Sequence, residues 1–340
     1  MTHHHPPTLP HVQPRVLRDG ALAVLVGVLS VVQARINGQL AIRVGSGLEA
    51  AAVSFGFGLV MVTLIVALTP SARAGVGRLI SSLRSAAGLP WWGLLGGLGG
   101  ATFVASQGLD VPSLGVALFT VAIVAGLTGN SLVADRLGVG PGGRRPITVP
   151  RVAAAILCII GVGIAVSGDF GDARVSLALL LLALVAGGLV AFQQGLNGRV
   201  SVAAGSPFVA AGVNFIVGTV ALLVIATVVE NLDNRAFVPP PAPWSEPILW
   251  LGGPIGVAFV TVAAFAVRSL GVLLFSLLTI VGQLLGSVGV DVVTPTAGAV
   301  ELSWQVLLAV LLSVVAAALA FFGARAPAAG SQSAPERMPM

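Results

Sequence analysis

Gln33 and Asn37 stand four positions apart, on one face of a helix, and the same pair recurs as Gln193 and Asn197. Side-chain amides donate and accept hydrogen bonds without carrying charge. At this spacing they suit contact with a polar solute, closure of a gate, or hydrogen bonds that join two helices, and the sequence leaves those roles open. Ser54 and Asn214 are equivalent in the same register, and a buried Asn214 either bonds a neighbouring helix or faces water. A second polar set comprises Thr128, Asn130, Ser131 and Asp135, answered by Gln283, Ser287 and Asp291. Asp135 and Asp291 read as carboxylates ending their helices in the interface, solvated or paired with Arg, or else as groups for ion coupling, where Glu49 is a further candidate. Glu49 also lies near Arg35 and Arg43 in sequence, an ion-pair arrangement, and Gln107 reads as interfacial.

The same inventory excludes most covalent chemistry. All four His fall within the first eleven residues, Lys and Tyr are absent, and Cys158 is alone. His-based triads, Schiff-base lysines and zinc sites therefore have no residues to use, and no cofactor or metal is expected. An aspartyl pair of Asp135 and Asp291 would be divided by most of a bilayer, so the chain does not read as an enzyme.

The elements that position these residues are written twice. Gln33, Asn37, Gly38, Gly45, Ser46, Ala50, Ala51, Val53, Phe55 and Gly58 reappear 160 positions later, from Gln193 to Gly218. A further stretch, including Gly96, Gly97, Gly100, Phe103, Gly115, Phe119 and Asp135, reappears 156 positions later as Gly252, Gly253, Gly256, Phe259, Gly271, Phe275 and Asp291. The chain is a tandem duplication. With 56% hydrophobic and 9% charged residues and a mean hydropathy of +1.02, it has too little polar surface for a soluble domain. Apolar runs long enough to span hydrocarbon fall at about 19–38, 48–69, 91–109, 113–134, 150–167, 175–196, 207–229, 248–267, 270–290 and 302–323. The expected architecture is an all-α integral membrane protein of ten transmembrane helices. It divides into a disordered tail 1–18, a five-helix repeat 19–168, a second repeat 173–323 and a tail 324–340. Five spans is an odd number, so the second repeat enters the membrane from the opposite face, giving inverted-topology repeats. On this reading the Gln33/Asn37 and Gln193/Asn197 pairs lie at opposite mouths of one pathway.

Every one of the 17 basic residues is Arg, and a cytoplasmic N-terminus leaves only Arg35, Arg43, Arg174 and Arg235 outside. That asymmetry puts both termini in the cytoplasm of a multi-pass inner-membrane protein. The net charge of +5 is this loop signature and not a nucleic-acid surface. Gly96 and Gly100, with Gly252 and Gly256, are small residues at a spacing that lets helices pack closely. No strand precedes that stretch and no Lys follows it, which excludes a phosphate loop.

Together the Gln-x3-Asn, Gly-Ser-x3-Ala-Ala, Phe-x2-Gly, Gly-Gly-x2-Gly and Gly-x4-Ser-x3-Asp elements resemble the YdcZ-like family of the drug/metabolite transporter superfamily. The resemblance implies ten helices, with the first four of each repeat around a central cavity, and puts Gln33, Asn37, Asn130, Gln193, Asn197 and Gln283 near the pathway. It implies a small-molecule transporter, expected to be an exporter; alternating access follows from the inverted repeats, and the chain is expected as a monomer or homodimer. Spans one and six carry no central acidic residue, which departs from the small multidrug exporters of that superfamily. The rival class is a non-transporting membrane partner or regulatory protein.

Overall fold

The computed structural model describes residues 14–166, 177–233, 237–293 and 304–323, and among them every regular element is helical. The helices are α1 (Pro14–Val44), α2 (Gly47–Leu68), α3 (Pro70–Arg84), α4 (Gly96–Leu137), α5 (Val149–Val166), α6 (Leu177–Ala204), α7 (Pro207–Asp233), α8 (Gly252–Val293) and α9 (Trp304–Gly323). Short 3-10 turns at Trp91–Leu94 and Pro247–Trp250 lead into α4 and α8. Five stretches of the described residues are long and apolar enough to cross a membrane: Arg15–Val44, Gly47–Leu68, Leu177–Ala204, Pro207–Val229 and Pro247–Gly286. Residues 1–13 and 324–340 of the expected tails lie outside the described residues, while residues 14–18, expected as tail, form the first turn of α1.

The repeated Gly-Ser dipeptides make the turns that join the first two helices of each half. Gly45 and Gly205 have φ of +72° and +63°, a left-handed conformation that ends α1 and α6 where a side chain would be strained. The following serine N–H reaches back to the last helical turn, Ser46 to Ala41 O and Ser206 to Ser201 O, each at 3.1 Å. Ser46 then starts α2, its hydroxyl accepting the Glu49 N–H at 3.2 Å.

Packing repeats with the halves exchanged. α1 lies chiefly along α8 and α6 along α4, while α2 meets its own counterpart α7 and α5 meets α9. Glycine allows these approaches: a Cβ on Gly97 would collide with Asn214 O, and one on Gly253 would stand 2.6 Å from Ser54 O. Outward faces are apolar, with Val60, Leu64, Leu68, Val220, Leu223 and Val224 exposed. An apolar surface of that extent belongs against lipid. Trp91, Trp92, Trp244 and Trp304 are exposed beside helix ends, where amphipathic rings favour a membrane interface.

Between the apolar runs that end near 69 and begin near 91 the chain is mostly helical, because α3 occupies Pro70–Arg84. Pro70 opens it and Ala72, Gly75 and Leu79 form its buried stripe. Arg78 crosses to donate to Ala204 O at 2.8 Å, satisfying a carbonyl at the C-terminus of α6.

Candidate functional site

Gln33, Gln193, Ser54, Phe55, Phe215, Phe103 and Phe259 converge on one central cavity of about 20 Å³, enough space for a water molecule. Val104 and Val260, equivalent at the 156 offset, also line it, and no charged side chain does. This corrects the expectation that the two amide pairs sit at opposite mouths. The helices continue past their apolar runs, through Arg35 and Arg43 in α1 and Arg199 in α6. Gln33 and Gln193 each lie eleven residues before the helix end, about 16 Å inside it at helical rise.

Each amide pair is held by polar atoms of the second helix of its own half and by glycines of the other half. In the first half, Ser54 Oγ donates to Asn37 Oδ1 at 3.0 Å, Asn37 Nδ2 donates to Gln107 Oε1 at 2.7 Å, and Gln33 Nε2 donates to Gly252 O at 2.8 Å. In the second half, Gln193 Nε2 and Asn197 Nδ2 both donate to Asn214 Oδ1 at 3.0 Å. All seven side chains are buried. The glycines expected to pack helix on helix instead receive these side chains. A Cβ on Gly96 would approach Asn197 Oδ1 to 2.6 Å, and one on Gly252 would collide with Asn37 Oδ1. At Gly100 and Gly256 the same Cβ would come within 2.9 Å of Gln193 Nε2 and Gln33 Nε2 respectively.

Gln107 is fully buried and not interfacial, because the Asn37 amide recruits it. It joins Gln283, Ser30, Thr120, Phe103 and Phe119 around a second small cavity of about 10 Å³. Phe103 lines both cavities. The positions equivalent to Gln107, Gln283 and Ser30 hold Ala263, Leu127 and Val190, so the duplication does not repeat this second polar pocket. Among the described residues, Asn214 Nδ2 and Gln107 Nε2 lack an acceptor and Gln283 Oε1 lacks a donor. Buried amides with unmet valences are suited to a guest that both donates and accepts.

Asn130 does not join this set. It is half-buried, donates to Gly126 O of its own helix at 3.0 Å, and packs on Gly188.

Asp135 takes a different place from a solvated helix end. It is buried, ion-paired with the equally buried Arg151, and its carboxylate accepts the N–H groups of Val272 at 3.1 Å and Leu273 at 3.3 Å. Those N–H groups open the second half of α8, which is broken at Gly271 by φ +78° and ψ 169°. Across the break, Arg145 donates to Leu270 O at 3.0 Å. One carboxylate and one guanidinium thus satisfy both ends that the break exposes. The Arg-paired alternative is the one realised. The Asp291 side chain lies outside the described residues. Arg43 pairs with Glu246 at 3.1 Å, and Glu49 is buried in the first turn of α2.

Fold and site together define a multi-helix membrane protein of two like halves around a buried amide cavity. The family model described as "Putative inner membrane exporter, YdcZ" matches residues 20–164 and again 178–319. The chain belongs to that family and carries its unit twice, as a tandem duplication. No curated protein matches the chain. One solved structure, described only as "Crystal structure of protein", is 22% identical over 92% of this chain and 99% of its own, with a TM-score of 0.60; that likeness shows the fold.

Proposed function

We propose that this protein moves a small neutral solute across the inner membrane by alternating access between two inverted five-helix repeats. The single observation that carries the reading is the meeting of Gln33, Gln193, Phe55 and Phe215 at one cavity. Residues equivalent in two halves come together where an axis relating the halves passes. For inverted repeats that axis lies in the membrane plane, so the cavity belongs at mid-depth, where such transporters hold their substrate. Each half can then adopt the other's conformation, and the pathway opens to one side or the other at similar energy.

The lining sets the solute class. Four phenylalanines supply apolar faces and the amides supply donors and acceptors without charge, so an uncharged molecule with both polar and apolar faces fits better than a cation. The Asp135 carboxylate is committed to structure, accepting the N–H groups of Val272 and Leu273 and pairing with Arg151, which supports facilitated or exchange transport over a cycle run through that residue. The direction is export, in keeping with the family description. The arginine asymmetry supports cytoplasmic termini.

The test is a ligand-induced thermal-shift screen on purified protein. Flux of the stabilising solute into liposomes containing only this protein follows. Flux that depends on Gln33 and Gln193 is expected. Saturating binding with no flux above protein-free liposomes would favour the regulatory reading.

A further inference from the structure

Away from the amide cavity, α1, α8 and α9 leave a groove of about 370 Å³ whose lining side chains, among them Leu17, Val24, Leu274, Leu278 and Val314, are all apolar. It is open to the outer face of the bundle, since Leu17 and Val314 are exposed. A volume of this size accommodates a small ligand. At the end where α1 begins, charge gathers around its entrance. Asp19 is buried and holds Arg18 at 3.0 Å and the Ser269 hydroxyl at 2.5 Å, which ties the start of α1 to the residue preceding the groove-lining Leu270. The guanidinium carbons of Arg18 and Arg268 lie 5.0 and 5.2 Å from the ring centre of the single Phe265. Arg15, Arg18 and Arg268 are all exposed, and Asp19 neutralises only one of them; among the described residues no ion pair is formed by Arg15 or Arg268.

We infer that this groove binds one acyl chain of an anionic phospholipid, whose phosphate is held by Arg15, Arg18 and Arg268. The rim belongs to the face that the arginine asymmetry makes cytoplasmic, where anionic lipids and basic residues attract one another. A purely apolar guest would leave the clustered cations without a counter-charge. A free anion would not need the groove. A phospholipid satisfies both, and its chain would brace α1 against the second half of α8, the pair whose mutual position sets one wall of the bundle. The inference stands on membrane location and not on transport.

The experiment uses the full-length protein, delipidated in detergent and then offered dioleoylphosphatidylglycerol or dioleoylphosphatidylcholine at equal mole fraction. Native mass spectrometry counts lipids that survive gentle activation. One retained phosphatidylglycerol per chain is expected, favoured over phosphatidylcholine by about tenfold, since the uncompensated cations attract a net anionic headgroup more than one whose phosphate is neutralised by its own choline. The triple change Arg15→Gln, Arg18→Gln, Arg268→Gln should bring the two lipids level. Ala21→Phe, which fills the groove but leaves the rim, should reduce retention of both. Equal retention of the two lipids by the unmodified protein overturns the inference, as does a preference that survives the triple change, or retention unchanged by Ala21→Phe. A second protein copy held in place of lipid also overturns it.

Discussion

The rings of Phe55 and Phe215, equivalent residues of the two halves, lie 4.8 Å apart between centroids and 35° from parallel. Each rests on the other helix's glycine: a Cβ on Gly218 would strike Phe55, and one on Gly58 would strike Phe215. This mutual contact is where α2 meets α7. Gly58→Leu and Gly218→Leu should each destabilise by about 1–3 kcal/mol through overpacking. Because both displace the same ring pair, the combined variant should lose less than the sum. Thermal unfolding in detergent measures all three, and strict additivity would show that the rings do not act as one unit.

Gln33→Ala and Gln193→Ala should each lower solute flux by about fivefold to tenfold, the worth of one hydrogen bond of roughly 1 kcal/mol expressed as a rate. The amount of folded protein should fall by less than the flux, because each amide borders the cavity even though it also rests on glycine backbone of the other half. Counterflow in liposomes, normalised to monodisperse protein, checks it. Losses of folded protein and flux in equal proportion would assign both residues to packing alone.

Asp135→Asn and Arg151→Met should each destabilise by about 3–5 kcal/mol, since each leaves a buried charge without its partner. Replacing both together should cost less than the two single losses added. A double-mutant cycle by thermal unfolding decides, and an Asp135→Asn protein as stable as the original would mean that the carboxylate does not hold the α8 break.

On a Cys158→Ser background, cysteine at position 80 should resist a membrane-impermeant thiol reagent in intact cells and react after permeabilisation. Cysteine in place of Trp244 should react in both. Ile80 and Trp244 are both exposed at the protein surface, so access from the medium is the only difference. The reverse pattern would invert the topology.

Much of this was legible in the sequence because duplication marks constrained positions. The equivalence of Gln33 with Gln193 and of Phe55 with Phe215 needed only an offset. Depth was not legible. An apolar run ends where charges begin, but α1 continues through Arg35 and Arg43 to Gly45, so a residue that reads as terminal lies three turns inside. Nor could the sequence show that Asp135 caps a helix start at Val272, since the capped N–H groups are 137 and 138 positions away and look like any apolar backbone. α3 does carry a local signal, Pro70 followed by Ala72, Gly75 and Leu79 at helical spacing among arginines, but it lies outside the apolar runs that mark the other helices.

Access to the central cavity tests alternating access without knowledge of the solute. Val104 and Val260 line that cavity from the two halves and carry no polar role. On the Cys158→Ser background, Val104→Cys and Val260→Cys should each react with an impermeant thiol reagent applied to either face of sealed, oriented vesicles. One cavity that opens by turns to both sides requires that result. Labelling from a single face only, or from neither, in protein that remains folded would contradict the account.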